Sequence, residues 1–479
     1  FVPVLGAVVV VAWRGASARG AHGAGLAAAG LSLLGAIGIW ARGAGAGFSQ
    51  VEEVRWIPSL GAAYRVGVDG LSLPLVVLTA VLFLAALAFS ADVADRPRAY
   101  VALFLLLETC CLGVFLALDL VLFYVFWEVT LVAMYFIIAG WGYAGRRRAA
   151  LTFFLYTLLG SLPLLLAILA LYLGSRPRTF DLRALIAAPP LAGGAELLTF
   201  VALLLAFAVK TPLFPLHTWL PAAHVEAPTA GSVVLAGVLL KLGTYGFVRL
   251  ALELTPGAFR AAAPWVAAAA VFSALYGAFV ALAQTDLKRL VAYTSVNHMG
   301  YVVLAVAAAA AATDRGARAL ALDGATLQMV SHGLVTGVLF LLVGAVQDRA
   351  GTRELGALGG LLRAFPLIGW GFVLAAFASL GLPGLAHFPA EFQIFLGAFA
   401  VWRWAAVVVL GIAVTAGLYL RAIQAAFLGE PAARWRALPD LRRREAWAIV
   451  PLLALTVAVG VGPGVLLGVI HRAAEALGG

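Results

Sequence analysis

The chain has 479 residues, 64% of them hydrophobic and 11% charged, with a mean hydropathy of +1.04. This excludes a water-soluble domain of such length, because apolar runs of about 20 residues, enough to cross a bilayer, recur from end to end. The formal charge of +10 does not mark a nucleic-acid binder, since the arginines punctuate the apolar runs in short clusters, as loop anchors do.

Length predicts about 14 spans. Their approximate limits are 1–13, 22–40, 68–90, 99–118, 119–140, 149–173, 196–220, 226–250, 263–284, 288–312, 322–346, 364–400, 404–427 and 445–470. The first is short and is not read as a signal peptide, because no basic segment precedes its apolar run. The seventh and twelfth are interrupted by proline or glycine. No strand-like alternation is expected, which excludes a barrel. The expected fold is therefore an all-α polytopic membrane protein. The longest loops, 41–67, 174–195 and 428–444, are too small to fold as catalytic domains.

Spans 4–8 and 9–13 read as two copies of one five-helix unit, with the interrupted helix fourth in each. An odd number of helices per unit forces the copies into opposite orientations, and paired broken helices point to a midplane site. The expected divisions are 1–98 (helices 1–3), 99–250 (first repeat), 263–427 (second, inverted repeat) and 428–479 (loop and helix 14). Loops after odd-numbered spans, including Arg146–Arg148 and the Arg434–Arg444 cluster, hold roughly 17 basic residues against 12 for the others, which sets them in the cytoplasm and both termini outside.

Ionisable residues within the apolar runs are the informative positions. On insertion scales a charge there costs about 2.5–3.5 kcal/mol, and such groups usually mark ion pathways. Glu108 is embedded in span 4 with no assignable partner. Glu128 lies mid-span in LVLFYVFWEVTLVAMYFII and favours a positive partner; the structural alternative is a permanently protonated, hydrogen-bonded glutamate. A unit charge about 10 Å away, at an effective dielectric near 20, contributes about 1.7 kcal/mol, slightly over one pKa unit. Lys210 precedes Pro212, Pro215 and Pro221, which remove backbone donors and break the helix. Freed carbonyls at that depth need protein or water beside them.

Lys241, in SVVLAGVLLKLGTYGF, is too far from either interface to snorkel. Desolvation lets such a lysine accept and release a proton. His298 and His332 suit proton relay in either direction. Metal ligation is not expected at these two, since neither has a second histidine or carboxylate at helical spacing. Glu391 follows Gly381, Pro383, Gly384 and Pro389, so it could face water on the outer side; the alternative is a helix-capping carboxylate. His217, His224 and Glu226 are candidate channel groups near the first break, although Glu226 could instead stabilise the start of helix 8. Asp69, Asp119 and Asp286 read as structural residues at helix ends.

Nothing in the sequence reads as a redox centre. Cys110 and Cys111 read as two small buried hydrophobes. An iron–sulfur cluster typically takes four thiolates. No glycine-rich dinucleotide motif follows a strand.

The runs FYVFWEVTLVAMYF, HTWLPAAHVEAPTAGSVVLAGVLLKLGTYGFVRL, DLKRLVAYTSVNHMGY, QMVSHGLVTGVLFLLVG and SLGLPGLAHFPAEF closely resemble subunit M, the antiporter-like proton-pumping subunit of bacterial NADH–quinone oxidoreductase, complex I. The likeness covers about residues 65–450. The wider family includes the L- and N-type subunits, Mrp-type cation/proton antiporters and membrane-bound hydrogenases. HVEAPTAGSVVLAG and Glu391 fit the M type. The resemblance implies about 14 helices in two inverted five-helix repeats with discontinuous helices 7 and 12. It implies a Glu128–Lys210 charge pair, Lys241 as central relay, and His298 and His332 leading to Glu391. It implies no cofactor in this chain, with NADH, FMN, iron–sulfur clusters and quinone in partner subunits. L- and N-type subunits would be its neighbours in a bacterial inner membrane. Ala133 and Ala222 depart from the family, which commonly has proline and aspartate there. The first should alter the bend behind Glu128; the second removes a carboxylate near His224. A cation/proton antiporter and a non-conducting structural subunit are the competing readings.

Overall fold

The computed structural model describes residues 1–15, 17–435 and 438–477; Arg436 of the basic 434–444 cluster lies outside the described residues. Among these residues twelve helices are long and apolar enough to cross a membrane, and Val2–Ala12 and Pro366–Ser379 are shorter apolar helices. In chain order the helices that frame the argument are α1 (Val2–Ala12), α2 (Ala18–Arg42), α3 (Ser72–Phe89), α4 (Pro97–Leu116), α5 (Leu120–Trp141), α6 (Arg146–Gly174) and α7 (Gly193–Lys210). Next come α8 (Trp219–Glu226), α9 (Thr229–Leu252), α10 (Pro256–Leu282), α11 (Leu287–Ala311) and α12 (Arg315–Ala350). The last are α13 (Pro366–Ser379), α14 (His387–Val401), α15 (Arg403–Phe427), α16 (Arg443–Val461) and α17 (Gly464–Ala476).

Two expectations fail. The 41–67 loop contains an antiparallel hairpin, β1 (Ser49–Ile57) against β2 (Ala62–Val68). Its charged, mostly exposed outer strand, SQVEEVRWI, carries no apolar alternation to betray it. The hairpin is held by ion pairs instead: Arg65 bonds Glu53 at 2.8 Å and Asp119 at 2.9 Å, and Arg183 bonds Glu53 at 3.1 Å. The final span is also shorter than expected. Helix α16 stops at Val461, before Gly462 and Pro463, and α17 is a separate helix. Proline without a backbone donor and a flexible glycine end the hydrogen-bond ladder there.

The helices sort by what surrounds them. The spans of α9 and α12 are completely enclosed, and α11 is nearly so. Helices α2 and α16 sit at the rim and turn Leu31, Leu34 and Trp447 outward. Such side chains match a lipid surround, whereas a helix enclosed on all sides must find partners for any polar group within the bundle. The enclosed helices carry Lys241, His298 and His332. The structure thus shields its most costly side chains from lipid.

The expected structural carboxylates take that role. Asp119 accepts from Val121 N and Leu122 N, and Asp286 accepts from Arg289 N. Asp69 accepts from the backbone at the start of α3 and forms an ion pair with buried Arg249, which also bonds Glu253 at 2.9 Å. That network ties the start of α3 to the end of α9.

Candidate functional site

Two breaks organise the polar interior. At the first, α7 ends with Lys210, and the chain through Pro212 and Pro215 leaves the helical path before α8 begins at Trp219. The freed backbone finds partners inside the protein. Trp219 Nε1 donates to Val209 O at 3.0 Å, and Phe214 N donates to Ser273 Oγ at 3.0 Å. Lys210 is 2% exposed. Its Nζ donates to Thr130 Oγ1 at 3.4 Å and lies 5.1 Å from the centre of the Trp127 ring.

Glu128 directly follows Trp127 on α5 and is half-buried, with Oε1 lacking a hydrogen-bond partner. The two charged groups do not form an ion pair within 4.0 Å; the lysine instead meets Trp127 and Thr130, which stand on either side of Glu128 in the sequence. Helix α5 runs unbroken past Ala133, which is fully buried.

Helix α9 crosses directly over this break. A Cβ on Gly243 would meet Thr211 Oγ1 at 2.6 Å and Thr211 N at 2.8 Å. Only a glycine permits that approach. Two residues earlier, Lys241 is fully buried. A wider π turn over Leu235–Leu239 precedes it, and Nζ reaches back to Ala236 O at 2.5 Å. Such turns leave carbonyls without their usual partner and recur at functional sites. The same Nζ lies 2.6 Å from His332 Nδ1. With Nδ1 unprotonated, Nζ donates to it, and the short contact is the geometry a proton needs to pass between them.

From His332 the rings continue toward the second break. His332 and His298 have centroids 5.6 Å apart, and His298 and His387 lie 4.5 Å apart. Glu391 Oε1 is 3.3 Å from His298 Nδ1 and 3.6 Å from His387 Nδ1. Gln328 donates to the same oxygen at 3.5 Å. Here α13 stops at Ser379, and residues 380–386, with Gly381 and Gly384 at φ +80° and +89°, separate it from α14. Pro383 stands in the same interruption. Glu391 sits in the second turn of α14 and does not cap it; the N-cap is Ala386. Its carboxylate lies under the break, since a Cβ on Gly381 would meet Oε2 at 2.7 Å.

The sequence reading missed His387. Its signal was present: it stands four residues before Glu391, on the same face of one helical turn. The expectation against metal ligands considered spacing along single helices only, and here three candidate ligand residues converge from two helices.

The channel candidates at the first break divide. His217 is buried, with Nδ1 unpaired, among Phe214, Tyr276 and Tyr293. His224 is fully buried, stacked on Phe340 at 4.6 Å, with neither ring nitrogen hydrogen-bonded. Glu226 turns away from this interior. It accepts from Gly145 N at 2.7 Å, the N-cap of α6, so it secures the start of the sixth helix and not the eighth. Glu108 is fully buried, and neither carboxylate oxygen has a hydrogen-bond partner among the described residues. Cys110 and Cys111 are buried free thiols, as expected.

The sequence profile of the family described as NADH:quinone oxidoreductase/Mrp antiporter, TM, matches residues 117–417, a stretch that holds both breaks and the buried groups between them. The chain belongs to this family. NADH-quinone oxidoreductase subunit M of Rhodobacter capsulatus is 41% identical over 444 residues, covering 89% of this chain and 84% of that one. F(420)H(2) dehydrogenase subunit M of Methanosarcina mazei is 38% identical over 439 residues, covering 89% and 86%. Among solved structures, a chain of respiratory complex I from Thermus thermophilus with bound NADH is similar at TM-score 0.89 and 34% identity, covering 100% of this chain and 98% of that chain. A chain of the Mrp complex from Dietzia sp. DQ12-45-1b shares the fold at TM-score 0.86 and 24% identity, covering 99% and 96%.

Proposed function

We propose that this chain translocates protons across a membrane as the antiporter-like M-type subunit of a respiratory NADH–quinone oxidoreductase. The observation that carries the reading is the buried series Lys241–His332–His298/His387–Glu391, in which hydrogen bonds and neighbouring rings join a lysine inside the bundle to a carboxylate under a helix break. A scaffold has no use for the desolvation this series entails. Family membership and the likeness to complex I support the same conclusion.

In this mechanism a charge change arriving from redox chemistry elsewhere alters the interaction of Glu128 with Lys210. Lys210 then loses stabilisation of its charged form and passes a proton toward Lys241. Lys241 hands a proton to His332 Nδ1. The histidines carry it to Glu391, which releases it beneath the second break. Moving one charge against 100 mV costs about 2.3 kcal/mol, so modest electrostatic changes at several stations match the scale of each step.

The chain itself holds no redox cofactor in this proposal. NADH, FMN, iron–sulfur clusters and quinone belong to partner subunits, and L-type and N-type subunits flank it in a bacterial inner membrane. Both termini face the periplasm. The divisions 99–250 and 263–427 are inverted copies of one unit, each with its break in the fourth helix. Residues 1–98 precede the two copies in the chain and residues 428–479 follow them.

The test is Glu128→Gln and Lys210→Ala in the assembled complex. Each is expected to abolish most pumping-coupled turnover while assembly is preserved. Full pumping in either variant rejects the mechanism.

A further inference from the structure

We propose that His298, His387 and Glu391 form a binding site for a divalent late-transition cation of the zinc type. One ligand atom from each residue lies within 4.8 Å of the other two. The separation of His298 Nδ1 from Glu391 Oε1, 3.3 Å, is the stronger fact. Zinc bonds nitrogen and oxygen at about 2.0–2.2 Å, so adjacent ligands of a tetrahedral ion stand about 3.4 Å apart. The His298–Glu391 edge of such a site already has that length.

The surrounding hydrogen bonds favour a metal-ready arrangement. His298 Nε2 lies 3.2 Å from Ser379 Oγ, which also accepts from the Tyr419 hydroxyl at 2.9 Å. When Nε2–H donates to that oxygen, the lone pair is on Nδ1, toward Glu391. Metal-bound histidines are typically oriented by such an outer bond. His298 Nδ1 has no hydrogen-bond partner, although the residue is 1% exposed. A ring lone pair and a carboxylate oxygen 3.3 Å apart repel unless positive charge lies between them.

His387 contributes a second ring. Its Nδ1–H donates to Ser379 O at 3.2 Å, which leaves the ring's lone pair on Nε2, a nitrogen with no hydrogen-bond partner. Gln328 Nε2 is the remaining polar neighbour of Glu391 Oε1.

Two imidazoles and one carboxylate select zinc-like ions over magnesium or calcium, which take oxygen-rich shells. The site lies against the 380–386 interruption, where a Cβ on Gly381 would meet Glu391 Oε2 at 2.7 Å. Binding does not depend on the proposed function. Its consequence does: a cation held here occupies the relay's lone pairs and stops proton passage.

The test uses the full chain purified in detergent, stripped with a chelator and supplied with zinc chloride alone. A His471→Ala background removes a competing surface cluster, in which His471 lies 2.6 Å from Asp323 and 3.3 Å from Glu475. Equilibrium dialysis is expected to find one bound zinc per chain, and X-ray absorption at the zinc edge a shell with two imidazole nitrogens. His387→Asn and Glu391→Gln should each weaken binding at least tenfold with melting temperature retained. Binding unchanged in both variants overturns the proposal. So does zinc binding lost with His471→Ala alone. If either variant melts early, the parent chain still decides, since a zinc shell lacking histidine nitrogen contradicts the site. Inhibition of pumping by zinc is scored separately; its absence with binding intact would count against the relay and not against the metal site.

Discussion

The two broken helices place ionisable groups in the same kind of setting and connect them differently. At the first break Lys210 forms no ion pair with Glu128 within 4.0 Å; it meets Trp127 and Thr130 instead, and its hydrogen bond is a long one of 3.4 Å. At the second, Glu391 touches two histidines, and the series continues to Lys241 through a 2.6 Å contact. The first arrangement suits a sensor, because a charge across a gap responds to small movements. The second suits conduction, because proton transfer needs groups within hydrogen-bond reach, directly or through one water.

The largest effect should follow from cutting the connected half. His332→Leu removes the acceptor for Lys241 while preserving bulk in a fully buried position. Pumping in reconstituted vesicles should fall to background, with the complex still assembled. Substantial pumping would show that Lys241 reaches Glu391 without this ring and would erase the contrast between the halves.

A packing change should reach the gap itself. Gly243→Leu forces side-chain atoms into Thr211 and the end of α7. Overpacking of this kind costs about 1–3 kcal/mol. Thermal melting should fall, and pumping should fall further than stability does, because the displaced segment carries Lys210. Unchanged pumping at lowered stability would mean that the position of the first break does not matter to function.

Glu226 supplies the control. It sits beside the first break but bonds the N-cap of α6. Glu226→Ala should lower stability by about 1 kcal/mol, the net value of one hydrogen bond, and leave the pumped-proton ratio unaltered. A lost ratio would return this residue to the channel.

The smallest effect concerns pH. His471 lies on α17, outside the spanning helices, and its hydrogen bond to Asp323 raises its pKa above the usual histidine value. The sign follows from that rise. The contact contributes fully below the unfolded pKa of about 6.5 and is lost as pH climbs through the higher folded value. Hydrogen exchange over Gly464–Ala476 should therefore quicken, beyond its intrinsic pH dependence, as pH rises through that window. His471→Ala should remove the excess. An equal excess in the variant would dismiss the contact.

Much of this site was legible because lipid makes buried charge so costly. Lys210, Lys241, His298, His332 and Glu391 stand out from their apolar runs without any coordinates, and the prolines and glycines mark both breaks. What the sequence withheld was contact across helices. His387 lay in a motif already quoted for Glu391, yet its approach to His298 depends on how α14 meets α11. That Lys210 meets Thr130 and the Trp127 ring instead of the Glu128 carboxylate depends on how α7 meets α5, which no spacing reveals. The hairpin at Ser49–Val68 escaped because its outer strand is polar and its hold on the protein is ionic. Glu226 was misread for a related reason: its partner, Gly145, is 81 residues away.

The most direct measurement is the number of protons pumped per NADH oxidised by the reconstituted complex carrying Lys241→Met. Lys241 joins the gapped half to the connected half, and methionine keeps much of its bulk without its charge. A relay through Lys241 predicts that the protons contributed by this subunit disappear while electron transfer from NADH remains measurable. A full proton count in that variant would contradict the account.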